Sequence, residues 1–477
     1  MLEEKSIRGY WWVDANPNRT VPGKLEYNPD GNIELHLLSP LNPDIRTFTP
    51  NYNVEYDRIY GHAENDEYIT LLRCKRDKAQ ISGGNQSIQT SKFIIGSFIE
   101  GYAFSFGKDI EFASISFEYP LLDQWAGITG VSMNLGFDDE EDGNQPSVEA
   151  GDSFDFSYEV PDSIEAKVDD YNISVSVGSK INTKNVGGMS IDESTNLTVD
   201  KDGEEITYEE LYDLNKKLQD FVTFAVRKPT FPSTISAKFQ IGASSNNSMN
   251  IVFDQISEID PPERFIPNKS NFILSDIHES FEETMAIWFD LYSELEDVFN
   301  LYFGTKYNNT MYMNNQFLGF TQALETYHRH SNYTGTYLDE DEFDEYKEEL
   351  AETIHEDYDQ SFQDHMVDGV FKHANEYSLR KRLNGLVAAH ENVLADLPWN
   401  VDSEINPITN TRNYLTHYDD DIDEEMDRLY EFSLILEALL EACLLTDLGI
   451  SEDHIRQRLG SRYHELTRDM DLPTQEE

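Results

Sequence analysis

The chain has 477 residues, too many for one ordinary hydrophobic core, so two or three domains are expected. It carries 91 Asp+Glu against 36 Lys+Arg, a formal net charge of -55, yet its 26 Tyr, 27 Phe and 5 Trp exclude an acidic disordered chain, which would be poor in aromatics. The acids are spread along the sequence, with only short runs such as Asp138–Asp142 and Asp419–Glu425. That pattern fits a folded protein with an acidic surface, suited to a molar-salt cytoplasm where charges are screened within about 3 Å. On this halophilic reading the net charge says little about the ligand, and nucleic acid is not excluded.

Two cysteines, Cys74 and Cys443, make neither a disulfide framework nor a thiolate zinc site. The Met1-Leu2-Glu3-Glu4 start has no basic region followed by an apolar run, so no signal peptide is expected. The longest apolar stretch, Leu434–Leu445, is interrupted by Glu437 and Glu441 and reads as a buried helix rather than a membrane span. A cytoplasmic protein is expected.

From Gly9 to about Asp254 the sequence reads as strands. Gly23–Tyr27 and Asn32–Leu37 alternate apolar and polar residues around Asn28-Pro29-Asp30-Gly31, a hairpin signal. Further runs follow at Tyr68–Leu72, Phe93–Ile99, Ile110–Phe117 and Ile164–Val177. One helix interrupts them at Tyr208–Arg227, where Leu211, Leu214, Leu218, Phe221, Val222 and Ala225 fall at helical spacing. Pro261, Pro262 and Pro267 then mark a boundary. Beyond Asn271 the period is helical: Phe272–Tyr302, Asn314–His330, Glu342–Asp359, Gln363–Ala374, Ser378–Leu394, Pro407–His417 and Glu424–Asp447, with a short helix from Ser451 to His464. The expected fold class is α+β multidomain. A β-rich domain over 1–257, sandwich-like or barrel-like, is followed by a Pro-containing linker at 258–270, an all-α helical bundle over 271–466 and a polar tail at 467–477.

The segment Asn406-Pro407-Ile408-Thr409-Asn410-Thr411-Arg412-Asn413-Tyr414-Leu415-Thr416-His417 carries the chemistry. Asn406-Pro407 reads as a helix start, with Asn as cap and Pro at the first helical position. Arg412 and His417, five residues apart, would lie about 140° apart around the helix and about 7.5 Å along it. Arg is long and His417 is near the expected helix end, so both could border one pocket. Such a pair suits RNA cleavage without a metal. His can take a proton from a ribose 2′-OH or give one to the leaving 5′-oxygen near neutral pH. Arg can hold the scissile phosphate and stabilise transition-state charge. Alone the spacing is weak, and an acid-capped Arg beside a surface His is the plain alternative.

Context adds to the motif. Phe317–Arg329, Ser378–Leu383 and Arg412–His417 leading into a long apolar helix resemble the ApeA-like HEPN family. Gly9-Tyr10-Trp11-Trp12, Val21–Leu25, Ile59-Tyr60-Gly61, Leu122–Trp125 and Leu218–Phe221 resemble the ApeA N-terminal domain, in the expected order. The resemblance implies an anti-phage, abortive-infection-type protein whose HEPN domain is an endoribonuclease using Arg412 and His417, with no cofactor and no metal. It implies an RNA substrate, tRNA among the candidates, a homodimer or higher homo-oligomer through the HEPN domain, an N-terminal domain acting as sensor or regulator of the nuclease, and a phage-derived activator as a further partner. No membrane partner is expected. Asn413, Glu325 and Arg329 are supporting candidates, although Glu325 reads equally as a helix-surface acid. The alternative is a catalytically silent dimerisation or binding module, with the β domain as the part that binds a phage protein or a glycan-like ligand.

Arg380, Lys381 and Arg382 form the one basic cluster and are candidate RNA phosphate contacts, or else a solvated turn paired with Glu. His328, His330, His355, His365 and His373 show no metal-ligand spacing with a clear third ligand and read as surface or capping residues. Trp11, Trp12 and Trp125 read as core rather than as a recognition groove. No phosphate-binding Gly-x-x-x-x-Gly-Lys loop and no Gly-x-Ser-x-Gly elbow occurs.

Overall fold

The computed structural model describes the chain except residues 1–3, 15–17, 29–31, 43–53, 83–87, 103, 105–108, 135–154, 185–187, 241–245, 255–264, 309, 332–333, 354–357, 418–427 and 472–477. It divides into two compact units: residues 1–267 with Phe272–Ala286, and Asn268–Asn271 with 287–477.

The first unit begins with a closed barrel. Strands β1 (Lys5–Trp12), β2 (Val21–Tyr27), β3 (Ile33–Leu37), β4 (Glu55–Ala63), β5 (Tyr68–Ser82) and β6 (Ile88–Glu100) pair in the order β6-β3-β2-β1-β4-β5, and β5 returns to β6. All pairs are antiparallel, and closure leaves no free edge. The expected β2–β3 hairpin is present with Tyr27 opposite Ile33, although its turn residues Pro29–Gly31 lie outside the described residues. The period-2 alternation turns Leu25, Leu35, Ile33, Ile59, Leu71, Phe93 and Ile95 into the barrel, and Phe98, of the other parity on β6, joins the same core. Trp11 joins them, fully buried, and its ring lies flat over Gly61, where a Cβ would sit 2.3 Å from it. Only glycine fits opposite that indole.

Strand β6 continues the sheet beyond the barrel. Ser91–Ile95 pair with β3, then Ser97–Glu100 pair with the last strand of the unit. That second half contains β7 (Glu111–Phe112), β8 (Ser114–Glu118), α1 (Leu122–Ala126), β9 (Val131–Asn134), β10 (Asp155–Tyr158), β11 (Ile164–Val168), β12 (Tyr171–Lys184), β13 (Gly188–Lys201), β14 (Ile206–Thr207), α2 (Tyr208–Val226), β15 (Thr234–Gln240) and β16 (Asn246–Phe253). Its sheet runs β11-β12-β13-β8-β15-β16. The run Ile164–Val177, expected as one strand, is a hairpin instead, because Asp169 turns with φ 52° between β11 and β12. Helix α2 matches its expected span and starts with a capping box between Thr207 and Glu210.

The Pro-containing segment does not end the first unit. Phe272 packs against Phe221 and Phe224 of α2, and Trp125 Nε1 donates to the Phe272 carbonyl at 3.1 Å. Helix α3 (Leu274–Ile277) therefore stays with the first unit, and the boundary falls inside α4 (Phe281–Glu294).

The second unit is all helix: α5 (Glu296–Lys306), α6 (Met313–His330), α7 (Glu340–Glu352), α8 (Gln360–Asp364), α9 (Leu379–Ala389), α10 (Glu391–Leu394), α11 (Val401–His417), α12 (Leu429–Asp447) and α13 (Glu452–Asp471). Its centre is α12, buried from Phe432 to Leu445 on every side, as a helix apolar all round must be. The two acids that interrupt its apolar run are satisfied inside the bundle. Glu437 pairs with Lys306, and Glu441 accepts from Tyr302 Oη at 2.9 Å and faces Arg462 at 3.3 Å. Two expected long helices are divided, one at Leu295 between α4 and α5 and one at His390 between α9 and α10. The last helix runs to Asp471, past its expected end at His464. Among the described residues no helix is long and apolar enough to cross a membrane.

Candidate functional site

Helix α11 does not start at Asn406-Pro407. It begins at Val401, and Pro407 lies in its interior. Val401, Ile405 and Ile408 are buried at spacings of four and three, so the apolar stripe carries the helix across the proline. Pro407 leaves the Ser403 carbonyl without its usual donor. The Thr409 hydroxyl donates to the Ile405 and Asn406 carbonyls at 2.9 and 3.0 Å, covering the same turn. The motif thus occupies the last turns of one continuous seventeen-residue helix.

Arg412 is half-buried. Its Nη1 donates to Asn413 Oδ1 at 3.3 Å, and its Nη2 stands 3.9 Å from Glu325 Oε2 on α6. Glu325 accepts from Arg329 Nη2 at 3.0 Å, one turn along the same helix. Arg329 Nη1 donates to Glu376 Oε2 at 2.8 Å. Glu376 also meets His373 at 2.8 Å and Arg382 at 3.7 Å. The result is one line of alternating charge from Arg412 through Glu325 and Arg329 to Glu376. Contact with His373 first, and then with Arg329, holds the Glu376 carboxyl below its ordinary range, while the hydrogen bond that Arg329 donates to Glu325 raises the pKa of the Arg329 guanidinium. His417 is the last residue of α11 and is exposed.

The supporting candidates Glu325, Arg329 and Asn413 are therefore brought to Arg412. The basic cluster is not one patch, because three consecutive helical residues point 100° apart. Arg380 is exposed and reaches α11, donating to Thr409 Oγ1 at 3.4 Å and Asn410 Oδ1 at 3.3 Å. Lys381 Nζ sits 3.8 and 4.0 Å from the ring centres of Tyr377 and Tyr337. Arg382 corrects its expected role as a phosphate contact: it is buried, with Nε on the Tyr377 carbonyl at 3.0 Å and Nη1 at 3.2 Å from His328 Nδ1. His328 is likewise no surface residue. It is 2% exposed, and burial, reinforced by the Arg382 charge, lowers its pKa.

Glu376 was not legible in the sequence. It comes from a short bridge in which Tyr337 N–H donates to the Asn375 carbonyl and Tyr377 N–H to the Gly335 carbonyl. The Asn375 amide then clamps Leu338. No periodicity announces such a pairing.

Among the described residues one group of potential metal ligands converges, Glu26, Glu34 and His36 on the barrel. Lys24 and Lys92 already hold its two carboxylates, so it is an ion-pair cluster.

Residues 6–288 match the family model ApeA N-terminal domain 1, and residues 318–454 match Apea-like HEPN. The chain belongs to the ApeA-like family, with a C-terminal HEPN domain. The N-terminal match extends past the proline segment to within two residues of the end of the first compact unit, and the HEPN match contains Glu325, Arg329, Glu376, Arg412 and His417. No curated protein and no solved structure matches this ApeA-like chain.

Proposed function

We propose that this chain is a metal-independent HEPN endoribonuclease of anti-viral, abortive-infection-type defence, with Arg412 and His417 as its catalytic pair and the N-terminal domain as its gate. The observation that carries the reading is the setting of Arg412. Within the matched HEPN segment it is braced by Glu325 and Asn413 yet its side chain stays 32% exposed, near the end of the helix that also presents His417. A guanidinium so placed is fixed in direction and still open to a phosphate.

In the proposed reaction His417 takes the proton of a ribose 2′-OH, the 2′-oxygen attacks phosphorus, and the bond from phosphorus to the 5′-oxygen breaks. The leaving 5′-oxygen receives a proton, and a second His417 contributed by another copy of the chain would supply it. Arg412 stabilises the charge that grows on the phosphoryl oxygens. The products are a 2′,3′-cyclic phosphate and a 5′-hydroxyl. Incubation with total RNA and tRNA in excess chelator, followed by analysis of the product ends, tests this. Cyclic phosphate ends at an undiminished rate are expected. Cleavage that stops in chelator, or that leaves 5′-phosphates, contradicts it.

A further inference from the structure

The helical unit carries a polar face whose charge runs against that of the chain. Helices α6, α9 and α11 pack on one another and hold five Lys or Arg against three Asp or Glu, in a chain with 36 Lys+Arg against 91 Asp+Glu. One of the three acids, Glu404, is taken by Arg428, whose Nη2 donates to it at 2.9 Å. On α11, Asn406, Asn410, Asn413 and His417 follow one another at spacings of four, three and four, and all are exposed. Residues so spaced form one stripe along a helix. The stripe is three neutral amides and an imidazole, bounded by acids at Asp402 and, in sequence, at Asp419.

Guanidinium groups meet the stripe from its edges. Arg412 Nη1 donates to Asn413 Oδ1 at 3.3 Å. Arg380 of α9, itself exposed, donates through Nη2 to Asn410 Oδ1 at 3.3 Å and through Nε to Thr409 Oγ1 at 3.4 Å. Among the described residues no carboxylate holds Arg380. A guanidinium only donates, so each amide turns its oxygen to the arginine and keeps its two N–H donors for a ligand. Asn410 and His417 are seven residues apart, about 10 Å along the helix. A cation with no acid on it and a row of amide donors therefore lead up to the proposed catalytic pair.

We propose that this stripe is the track on which the RNA strand lies beside its scissile phosphate. Arg380 takes a neighbouring phosphate, and the Asn406, Asn410 and Asn413 amides donate to phosphate and ribose oxygens. The local balance of charge favours a polyanion, and the shared helix face sets the strand against His417. The inference rests on the nuclease reading for the identity of the ligand.

The test uses the full chain and a fluorescent oligouridylate with 2′-O-methyl riboses, which lacks the attacking hydroxyl and so cannot be cut by the proposed chemistry. Anisotropy titrations over a potassium chloride series compare wild type, R380E, N406A/N410A and K347E, the last a matched charge reversal on the acidic helix α7. Unchanged melting temperatures verify folding. R380E should weaken binding by about tenfold or more and lower the log–log salt slope by about 0.7 for the phosphate no longer neutralised. N406A/N410A should weaken binding by about fivefold or more with the salt slope unchanged. K347E should bind as wild type does. Equal binding by wild type, R380E and N406A/N410A overturns the proposal. So does an equal loss in K347E, and so does a wild type that binds no oligonucleotide. Cleavage of the unmodified oligouridylate, timed in parallel, separates the two readings. A wild type that binds through the stripe but does not cut removes the nuclease reading and leaves the track. A wild type that cuts, with R380E and N406A/N410A binding and cutting equally well, removes the track alone.

Discussion

Arg412 and His417 stand out in the local sequence by side-chain type and a spacing of five, a weak signal by itself that gains weight from the resemblance to HEPN motifs, which also brings in Asn413. Their surroundings do not stand out. Glu325 faces Arg412 only because α6 and α11 lie side by side, and Glu376 arrives through a bridge between segments some forty residues apart. Arg382 reads as a surface cation by type, yet it lies inside, against the Tyr377 carbonyl and His328. Position in a helix, rather than charge, decides that. The Arg412–Glu325 contact is partly exposed, so its share in holding the guanidinium is at most about 1 kcal/mol, or about fivefold in rate. Glu325→Gln should therefore lower kcat for RNA cleavage by about two- to fivefold with the fold intact. An unchanged kcat would make Glu325 a bystander acid.

At the scale of elements, periodicity located α2, α6 and the end of α12 to within a residue, because each has an apolar stripe or core, while the expected start of the last at Glu424 lies outside the described residues. It misplaced the start of α11, where the rule that proline opens a helix competed with the burial of Val401, Ile405 and Ile408, and burial won. That outcome has a cost in backbone hydrogen bonding. Pro407→Ala should stabilise the protein by about 1–3 kcal/mol, read as a rise in the urea midpoint. A loss of stability would mean that the surrounding helices are built around the proline. The break at His390 separates α9 from α10 and buries the ring beside the Thr446 hydroxyl. Burial lowers the pKa of His390, as it does that of His328. Both rings are then neutral in the native protein at pH values where the unfolded chain takes up protons. Their contribution is fully present above about pH 6.5 and is lost as pH falls from there toward the lowered native values. Denaturant titrations between about pH 7.5 and 5.5 should show wild type losing more stability than H328Q/H390Q. Parallel losses in the two proteins would contradict this.

For the whole molecule, the change from period two to helical period announced a β-rich half and a helical half. It left barrel and sandwich undecided, because closure depends on β5 pairing back to β6, a register that alternation alone does not specify. The proline segment was a misleading landmark for the same reason: Phe272 beyond it packs on α2. The net charge of -55 is a property of the whole surface. Self-repulsion at about 0.1 M salt acts over about 10 Å, and at 1 M over about 3 Å. The melting temperature should therefore rise steadily from dilute to molar potassium chloride, and a flat curve would argue against a surface adapted to high salt.

The central claim is that Arg412 and His417 cut RNA. It is tested most directly by timing the cleavage of tRNA and total RNA in molar salt by wild type, Arg412→Ala and His417→Ala, each purified as the full chain with its melting temperature verified. Loss of one general acid–base or charge-stabilising group costs about a hundred- to a thousandfold, so both variants should fold as wild type does and cut at background. Equal cleavage by all three would place the activity elsewhere and remove the catalytic assignment of this motif.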